Sequence, residues 1–301
     1  MNRKALVILA VIAASGVYGD SPQYPTPLAS DANTRFLYQF NETSGTTAFD
    51  TSGANRHATY GPDVILSQPT VFETGKSIIS QEKILLNSAT YWQAPAGSAK
   101  TSILSTDIFQ NDFTVQMWVN WNGNAPLNQV RTLFAIQPIS TTDVDVRFGI
   151  LPTDNPFHPN GLTVLDGSGT NLAFDEGGTA WQVDTWYHVA LVVDYLESFD
   201  TNYKIYWTPE GITTPSLVRD YTRPAGITLS SSTNDRQLII GQEYGDSGKR
   251  FWPGEIDGFK FSNKALTSDE LDDTLQLIPE PASALLLMSG LVAAWKLRRR
   301  G

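Results

Sequence analysis

Short runs rich in β-branched and aromatic residues recur along the chain, and they constrain its fold more than any other feature. Gly, Pro, Asn and Asp separate the runs, a spacing typical of strands joined by turns. One helix start stands out: Thr267 to Glu270 form a capping box ahead of Leu271 and Leu275. Many strands with one short helix predict an all-β, two-sheet antiparallel jelly-roll sandwich. The clearest runs cover residues 36–40, 113–121, 186–193, 203–207, 237–241 and 255–261.

The composition excludes several classes of protein. The chain has 301 residues, enough for one large domain or two small ones. It contains no cysteine, which excludes a disulfide scaffold, thiolate zinc sites and thiol catalysis. Its net charge of -10 argues against nucleic-acid binding, which needs a basic surface.

The N-terminus has the layout of an export signal. Arg3 and Lys4 precede an apolar run over residues 5–14, and small residues follow up to Gly19. This order predicts a secretory signal peptide over residues 1–19 and, after it, a linker over residues 20–35.

The C-terminus carries a second targeting pattern over residues 278–301. A Pro-Glu-Pro motif is followed by an uncharged run over residues 282–295 and then by a basic cluster. The run predicts a short transmembrane helix, with the basic cluster on the cytoplasmic side. The motif residues are Pro279, Glu280 and Pro281, with Arg298, Arg299 and Arg300 in the basic cluster.

This tail resembles the PEP-CTERM sorting signal. The resemblance implies a Gram-negative-type bacterium in which exosortase, a membrane protease-transpeptidase, recognises and removes the tail. The protein would be anchored transiently in the inner membrane and then reach the cell surface or an exopolysaccharide matrix.

Several ordered blocks between residues 36 and 276 together resemble the laminin-G-like, concanavalin A-like jelly roll. The resemblance implies a lectin-like sandwich domain over this range. We expect Trp118, Trp186, Tyr187 and Phe259 to be core aromatic residues that fill the space between the sheets. His188 shares a strand face with Trp186 and Ala190, so we expect it to be structural. The blocks are the Asp-x-Ser-Gly-x-x-x-His loop at 50–57, the strands at 113–119 and 184–194, the Gly-x-Ile-Asp segment at 254–257, and the helix at 265–271.

The same resemblance suggests a calcium site and a glycan-binding surface. Ca²⁺ binds carboxylate and carbonyl oxygen atoms, and the candidate ligands are Asp50, Asn55 and Asp257. The alternative is that the Asp50 loop is only a turn. Exposed aromatic rings could stack on sugars, with the candidates Trp92, Trp121, Trp181 and Trp252.

The sequence argues against catalysis. Glu255 and Asp257 resemble the start of the Glu-x-Asp-x-x-Glu motif of jelly-roll glucanases, but Lys260 stands at the final position. Nucleophile-elbow, zinc-hydrolase and P-loop motifs are missing from the sequence. We therefore expect an exported binding module for a glycan or protein. The alternatives are a structural matrix protein without a small ligand and a jelly-roll glycoside hydrolase.

Overall fold

Strands account for most of the residues whose structure is described, as the alternating runs predict. The computed structural model describes residues 24–61, 64–72, 77–80, 84–86, 112–121, 130–138, 144, 146–151, 161–166, 171–174, 182–196, 200–224, 236–241, 252–272, 275 and 277–278. In chain order the strands are β1 (Tyr24–Pro25), β2 (Thr34–Tyr38), β3 (Thr47–Ala48), β4 (Ala58–Tyr60), β5 (Val64–Gln68), β6 (Ser77–Ser80), β7 (Ile84–Leu86), β8 (Phe113–Trp121), β9 (Arg131–Pro138), β10 (Val146–Ile150), β11 (Leu162–Asp166), β12 (Asn171–Phe174), β13 (Trp186–Tyr195), β14 (Thr201–Pro209), β15 (Leu217–Arg223), β16 (Arg236–Ile240), β17 (Gly254–Ser262) and β18 (Leu277–Ile278).

Two antiparallel sheets form the body of the domain. Within the described ranges, each has eight strands. Sheet I has the order β12-β11-β10-β9-β16-β7-β4-β3. Sheet II has the order β15-β14-β13-β8-β17-β6-β5, and β2 also pairs with β17. The prediction of an all-β antiparallel sandwich is therefore confirmed. Strands distant in sequence are neighbours in both sheets, which is consistent with a jelly roll.

The main core lies between the facing sides of the two sheets. Strand side chains alternate between faces, and β8 accordingly gives Val115, Met117 and Val119 to this core. Large aromatic rings pack closely in it. Tyr187 and Trp207 stack with their centroids 4.4 Å apart. The expected core positions of Tyr187 and Phe259 are therefore confirmed.

Trp118 and Trp186 lie on the opposite, outer face of sheet II. The expectation that they fill the space between the sheets is wrong, because the neighbours Met117 and Val119 already point there. Both indoles instead pack under Val71, Phe72 and Leu275 in a separate buried cluster. His188 is fully buried on this same face, with its ring centroid 5.3 Å from that of Trp118.

A short helix, α1 (Ser268–Asp272), covers another part of this outer face, as predicted. Its capping box is present: Glu270 Oε2 accepts from Thr267 N at 3.0 Å, and Thr267 Oγ1 accepts from Glu270 N at 3.4 Å. Leu271 then packs against Ala190 and Val192 of β13. The helix therefore closes the apolar part of the outer face.

The two ends of the described chain pair with each other. Tyr24 of β1 is opposite Ile278 of β18, and Pro25 is opposite Leu277. The pair lies in the predicted linker and just beyond residue 276, at the margins of the predicted domain. None of the helices in the described ranges has the length and apolar character needed to cross a membrane.

Candidate functional site

Strand β17 carries Glu255, Asp257 and Lys260 on the outer face of sheet II. A register shift between Asp257 and Phe259 makes this possible, because it inserts Gly258 as an extra residue. Gly258 has φ of 61°, a conformation that favours glycine. The three residues of the Glu-x-Asp-x-x-Lys pattern therefore share the outer face of sheet II.

Gly254 begins the same strand, where the backbones of β17 and β8 approach closely. A Cβ atom at this position would lie 1.9 Å from the carbonyl oxygen of Asn120. Any larger residue would force the strands apart. This contact explains the glycine of the Gly-x-Ile-Asp segment.

Asp257 is completely buried and bonded to a neighbouring segment. Its Oδ2 accepts hydrogen bonds from Thr70 Oγ1 and from Val71 N, the latter at 3.3 Å. Burial raises the pKa of the Asp257 carboxyl to about 7, although both hydrogen bonds act to lower it. The carboxyl therefore anchors residues 70 and 71 on the outer face of sheet II.

Lys260 occupies the position of the second glutamate in the glucanase motif. Its Nζ forms an ion pair with Asp31 Oδ2 at 2.7 Å, and its side chain is 6% exposed. The motif position that a retaining glycosidase needs for its acid/base or nucleophile therefore holds a buried cation.

The Asp50 loop is organised by hydrogen bonds to its carboxylate. Oδ1 accepts from Leu37 N at 3.0 Å and from Ser52 N at 2.9 Å, and Oδ2 accepts from Arg56 N at 2.9 Å. Asp50 N donates to His57 Nδ1 at 3.0 Å, which ties the last residue of the motif to the first. The four motif residues thus have structural roles that fix a turn against β2.

The predicted calcium ligands belong to separate hydrogen-bond networks. The Asp50 carboxylate accepts hydrogen bonds from backbone amides, and the Asp257 carboxylate accepts them from Thr70 and Val71. Asn55 is exposed and has φ of 55°, a left-handed turn conformation that Asn tolerates. Among the described residues there is no group of three or more His, Asp or Glu arranged to hold a metal. The fit of this trio to one ion is poor, and calcium binding stays a prediction.

Of the predicted stacking residues, Trp252 is fully buried. Its Nε1 donates to the carbonyl oxygen of Glu255 at 3.1 Å, and the ring belongs to the main core. A ring without exposed surface offers no face to a sugar. Trp92 and Trp181 lie outside the described residues, as do Pro279 to Pro281 and Arg298 to Arg300 of the sorting motif.

Of the two stacking candidates that the structure describes, Trp121 has exposed surface, and it lies at one end of the sandwich. It is half-buried, packs against the main core and ends β8. The guanidinium of Arg131, at the start of β9 in sheet I, lies 5.0 Å from its ring centroid. A cation on one face of an indole stabilises it, so Arg131 and Trp121 connect the two sheets at this end.

Arg131 is itself held in place. Its Nη2 donates to the carbonyl oxygen of Leu151 at 2.8 Å, and the residue is 2% exposed. Burial lowers the pKa of its guanidinium to about 10, which leaves it charged at neutral pH. The ring of Trp121 therefore rests on a fixed, charged support.

Two acidic residues lie near the end of β8: Asp184, and Glu255 on the outer face of sheet II. Asp184 N donates to the carbonyl oxygen of Trp121 at 2.9 Å, and its own side chain is exposed. Glu255 is half-buried, and burial, followed by the charge of Asp184, raises the pKa of its carboxyl. The arrangement combines an aromatic ring with carboxylates that can accept hydrogen bonds.

Sequence reasoning identified Trp121 but missed Arg131 and Asp184. Arg131 begins a strand about ten residues later, on the other sheet, and no sequence spacing links it to Trp121. Asp184 offered a weak signal, because it begins the block at 184–194, and Asp is common in turns. The structure places it in a turn before β13, with φ of 59°.

Several known structures are similar to this chain, each at low sequence identity. A sialidase from Trypanosoma rangeli is similar at 13% identity with a TM-score of 0.51, over 83% of this chain and 36% of the sialidase. Domain 4 of an arabinanase from Geobacillus stearothermophilus has 15% identity and a TM-score of 0.49, over 85% of this chain and all of that domain.

The receptor-binding domain of botulinum neurotoxin type G has 14% identity and a TM-score of 0.48, over 80% of this chain. The chain spans about half the length of that domain, 50% of it being covered. No curated protein sequence matches the chain.

A family model matches the sequence directly over residues 95–272. Its description is that of the concanavalin A-like lectin/glucanases superfamily, family Laminin_G_3. The match covers more than half of the chain and includes β8, β13, β17 and α1. The chain therefore belongs to the Laminin_G_3 family of the concanavalin A-like lectin/glucanase superfamily.

Proposed function

We propose that the domain is a glycan-binding module and that the sugar stacks on Trp121. The observation that carries this proposal is the partly exposed Trp121 ring, which the buried guanidinium of Arg131 supports from one side. A preorganised aromatic ring presents apolar surface at low entropic cost. The exposed Asp184, whose amide donates to the Trp121 carbonyl oxygen, brings a carboxylate to this end that can accept hydrogen bonds from sugar hydroxyls.

Membership of a lectin and glucanase superfamily is compatible with binding and with hydrolysis, and we favour binding. Lys260 replaces the second carboxylate of the glucanase motif and is engaged by Asp31. Asp257 is covered by residues 70 and 71. These contacts support a protein that holds a glycan without cleaving it.

We further propose that the protein is exported and sorted to the cell surface or extracellular matrix. The support is in the sequence, where a leader over residues 1–19 and the tail over residues 278–301 flank the domain. Exosortase would be the processing partner of Pro279 to Pro281, and exopolysaccharide or a surface glycan the final partner. Anchoring in the inner membrane by residues 282–295 would then be transient.

A glycan array tests the binding proposal. The unmodified domain should bind a defined set of glycans, and Trp121→Ala should reduce that binding at least about tenfold, since a stacked ring contributes more than about 1.4 kcal/mol. Phe49→Ala is the matched control: it removes another exposed aromatic side chain, 53% exposed, just after β3 at the edge of sheet I. Circular dichroism checks that both variants fold.

The outcomes separate the alternatives. If the folded protein binds none of the glycans, the binding proposal is rejected in favour of a structural matrix protein. If Trp121→Ala and Phe49→Ala lose glycan binding equally, Trp121 is rejected as the binding site. Release of reducing sugar from β-glucans, abolished by Glu255→Gln, would establish the glycosidase alternative.

Export is tested separately by mass spectrometry of the mature protein from an exosortase-positive host. Cleavage near residue 19 and loss of the tail are expected. A variant with Pro279, Glu280 and Pro281 replaced by Ala should retain the tail and stay membrane-associated. An intact leader, or full tail removal in the variant, would reject this route.

A further inference from the structure

Asp184 brings an exposed carboxylate to the strand end that presents Trp121. Its backbone N donates to the carbonyl oxygen of Trp121 at 2.9 Å. Two residues earlier, Gln182 N donates to Tyr187 Oη, also at 2.9 Å, so the turn is attached to the sandwich at two of its amides. These backbone bonds hold Asp184 near the Trp121 ring without using its carboxylate.

The carboxylate of Asp184 keeps its oxygen atoms for a ligand. It accepts no hydrogen bond from any residue that the structure describes, and its side chain is exposed. Its charge nevertheless acts on its surroundings: burial, and then the charge of Asp184, raise the pKa of the Glu255 carboxyl. An anionic group bound at Trp121 would enter the same negative field.

The basic residue at this end is Arg131, and a ligand cannot reach its charge. Arg131 is 2% exposed, and its Nη2 is already engaged with the carbonyl oxygen of Leu151. The neighbouring described segments 182–187, 207–212 and 252–256 contain no lysine, arginine or histidine. An acidic sugar at the exposed part of the Trp121 ring would therefore meet Asp184 without an accessible cation to compensate.

Uncharged sugars suit this arrangement better. Each sugar hydroxyl can donate a hydrogen bond, and bonds to an ionised acceptor are about twice as strong as bonds between neutral groups. A carboxylate or sulfate on the sugar only accepts hydrogen bonds, and it adds a like charge. At about 6 Å and the effective dielectric constant of a protein surface, two unit charges repel each other by more than the thermal energy.

We propose that the site at Trp121 takes uncharged glycans and rejects glycans with a carboxylate or sulfate near the stacked sugar, and that Asp184 sets this specificity. The inference rests on the proposed glycan binding and adds the chemical class of the ligand. The preferred partners are then neutral polysaccharides, and polymers of uronic or sialic acid are excluded.

The specificity of the site has to be separated from the charge of the whole chain. The net charge of -10 repels anionic polymers from every part of the surface. Asp269 of α1 provides the matched control, because its carboxylate is also exposed. The segment before α1 is bonded to the start of β8, where Leu266 N donates to Thr114 Oγ1, roughly 20 Å along the strand from Trp121.

An array of matched glycan pairs tests the proposal on the purified full chain. Each pair consists of a neutral glycan and the same glycan with one added sialic or uronic acid. In every pair that is recognised, the neutral member should bind at least about tenfold tighter at about 50 mM salt. The preference should shrink at about 500 mM salt, because ions screen exposed charges.

Variants assign the preference to one carboxylate. Asp184→Asn should reduce it to about threefold or less, mainly through tighter binding of the acidic member. Asn tolerates φ of 59° as Asp does, so the turn is retained. Asp269→Asn changes the net charge by the same amount and should leave the preference as it is. Circular dichroism checks that both variants fold.

The outcomes distinguish this inference from the proposed function. If the unmodified chain binds acidic and neutral members equally, the specificity is overturned and glycan binding stands. If the preference is unchanged in Asp184→Asn, or falls equally in Asp269→Asn, it belongs to the whole surface and Asp184 does not set it. If the chain binds neither member of any pair, the glycan-binding proposal is rejected, and the role of Asp184 with it.

Discussion

The carboxylates of Asp50 and Asp194 differ in what their oxygen atoms contact. Those of Asp50 accept three backbone amide hydrogen bonds, whereas no described residue donates one to Asp194. Asp50 lies in a motif that resembles a ligand loop, and Asp194 is the next-to-last residue of an ordinary strand. In an oxygen-rich turn, the carboxylate oxygen atoms can therefore be fully used as acceptors for the backbone amides of the turn itself. Ligand sites are better sought where a carboxylate accepts no hydrogen bond from the protein.

The largest expected effect concerns Asp257, another carboxylate with protein donors. Its folded pKa of about 7 is above the ordinary value of 3.8, so folding takes up a proton between pH 4 and 7. The free energy of unfolding should therefore fall as pH rises through this window and level off above it, by on the order of 4 kcal/mol.

Urea unfolding of the unmodified chain and of Asp257→Asn at several pH values measures this contribution. The variant cannot titrate at this position, so the difference between the two stability curves isolates the carboxyl. Parallel curves would show that Asp257 is ionised in the folded protein.

A loss of about 3 kcal/mol in the free energy of unfolding is expected for Asp50→Ala, because three backbone amides lose a charged acceptor. Asn55→Gly is the control in the same loop. Glycine tolerates φ of 55°, so this change should cost less than about 0.5 kcal/mol. Chemical denaturation measures the free energy of unfolding of both variants. If Asp50→Ala loses no more than Asn55→Gly, the hydrogen bonds to Asp50 do not stabilise the loop as described.

The smallest effect should be found at Asp194. Without calcium, Asp194→Asn removes repulsion with Asp112 and should raise the free energy of unfolding by about 0.5 kcal/mol. A destabilised variant in a chelator would mean that Asp194 has a structural donor, like Asp50.

The fold could be predicted from residues close in sequence. The alternation in β8 and β13 specifies strands, and Thr267 with Glu270 specifies the start of α1. The face of a strand that meets the core was harder to predict. Trp118 and Trp186 were assigned to the wrong side, because large aromatic residues occur on both faces when loops cover the outer one.

The sites were less predictable, since they depend on distances across strands. Trp121 could be named as an aromatic candidate, but its support Arg131 comes from the other sheet. Trp252 was as good a candidate as Trp121 in the sequence. It is buried in the main core, where its indole donates to the backbone of β17. Asp184 lies near Trp121 only because its amide donates to the carbonyl oxygen at the end of β8.

The pairing of β1 with β18 has a mechanical consequence. Tyr24 and Ile278 face each other where the chain enters and leaves the pair, so tension between them breaks hydrogen bonds one after another. The load then passes to Thr34 and Ser262, which again face each other at the entry of β2 and the exit of β17. Pulled from these points, the sandwich peels open from its margin inward instead of resisting in shear.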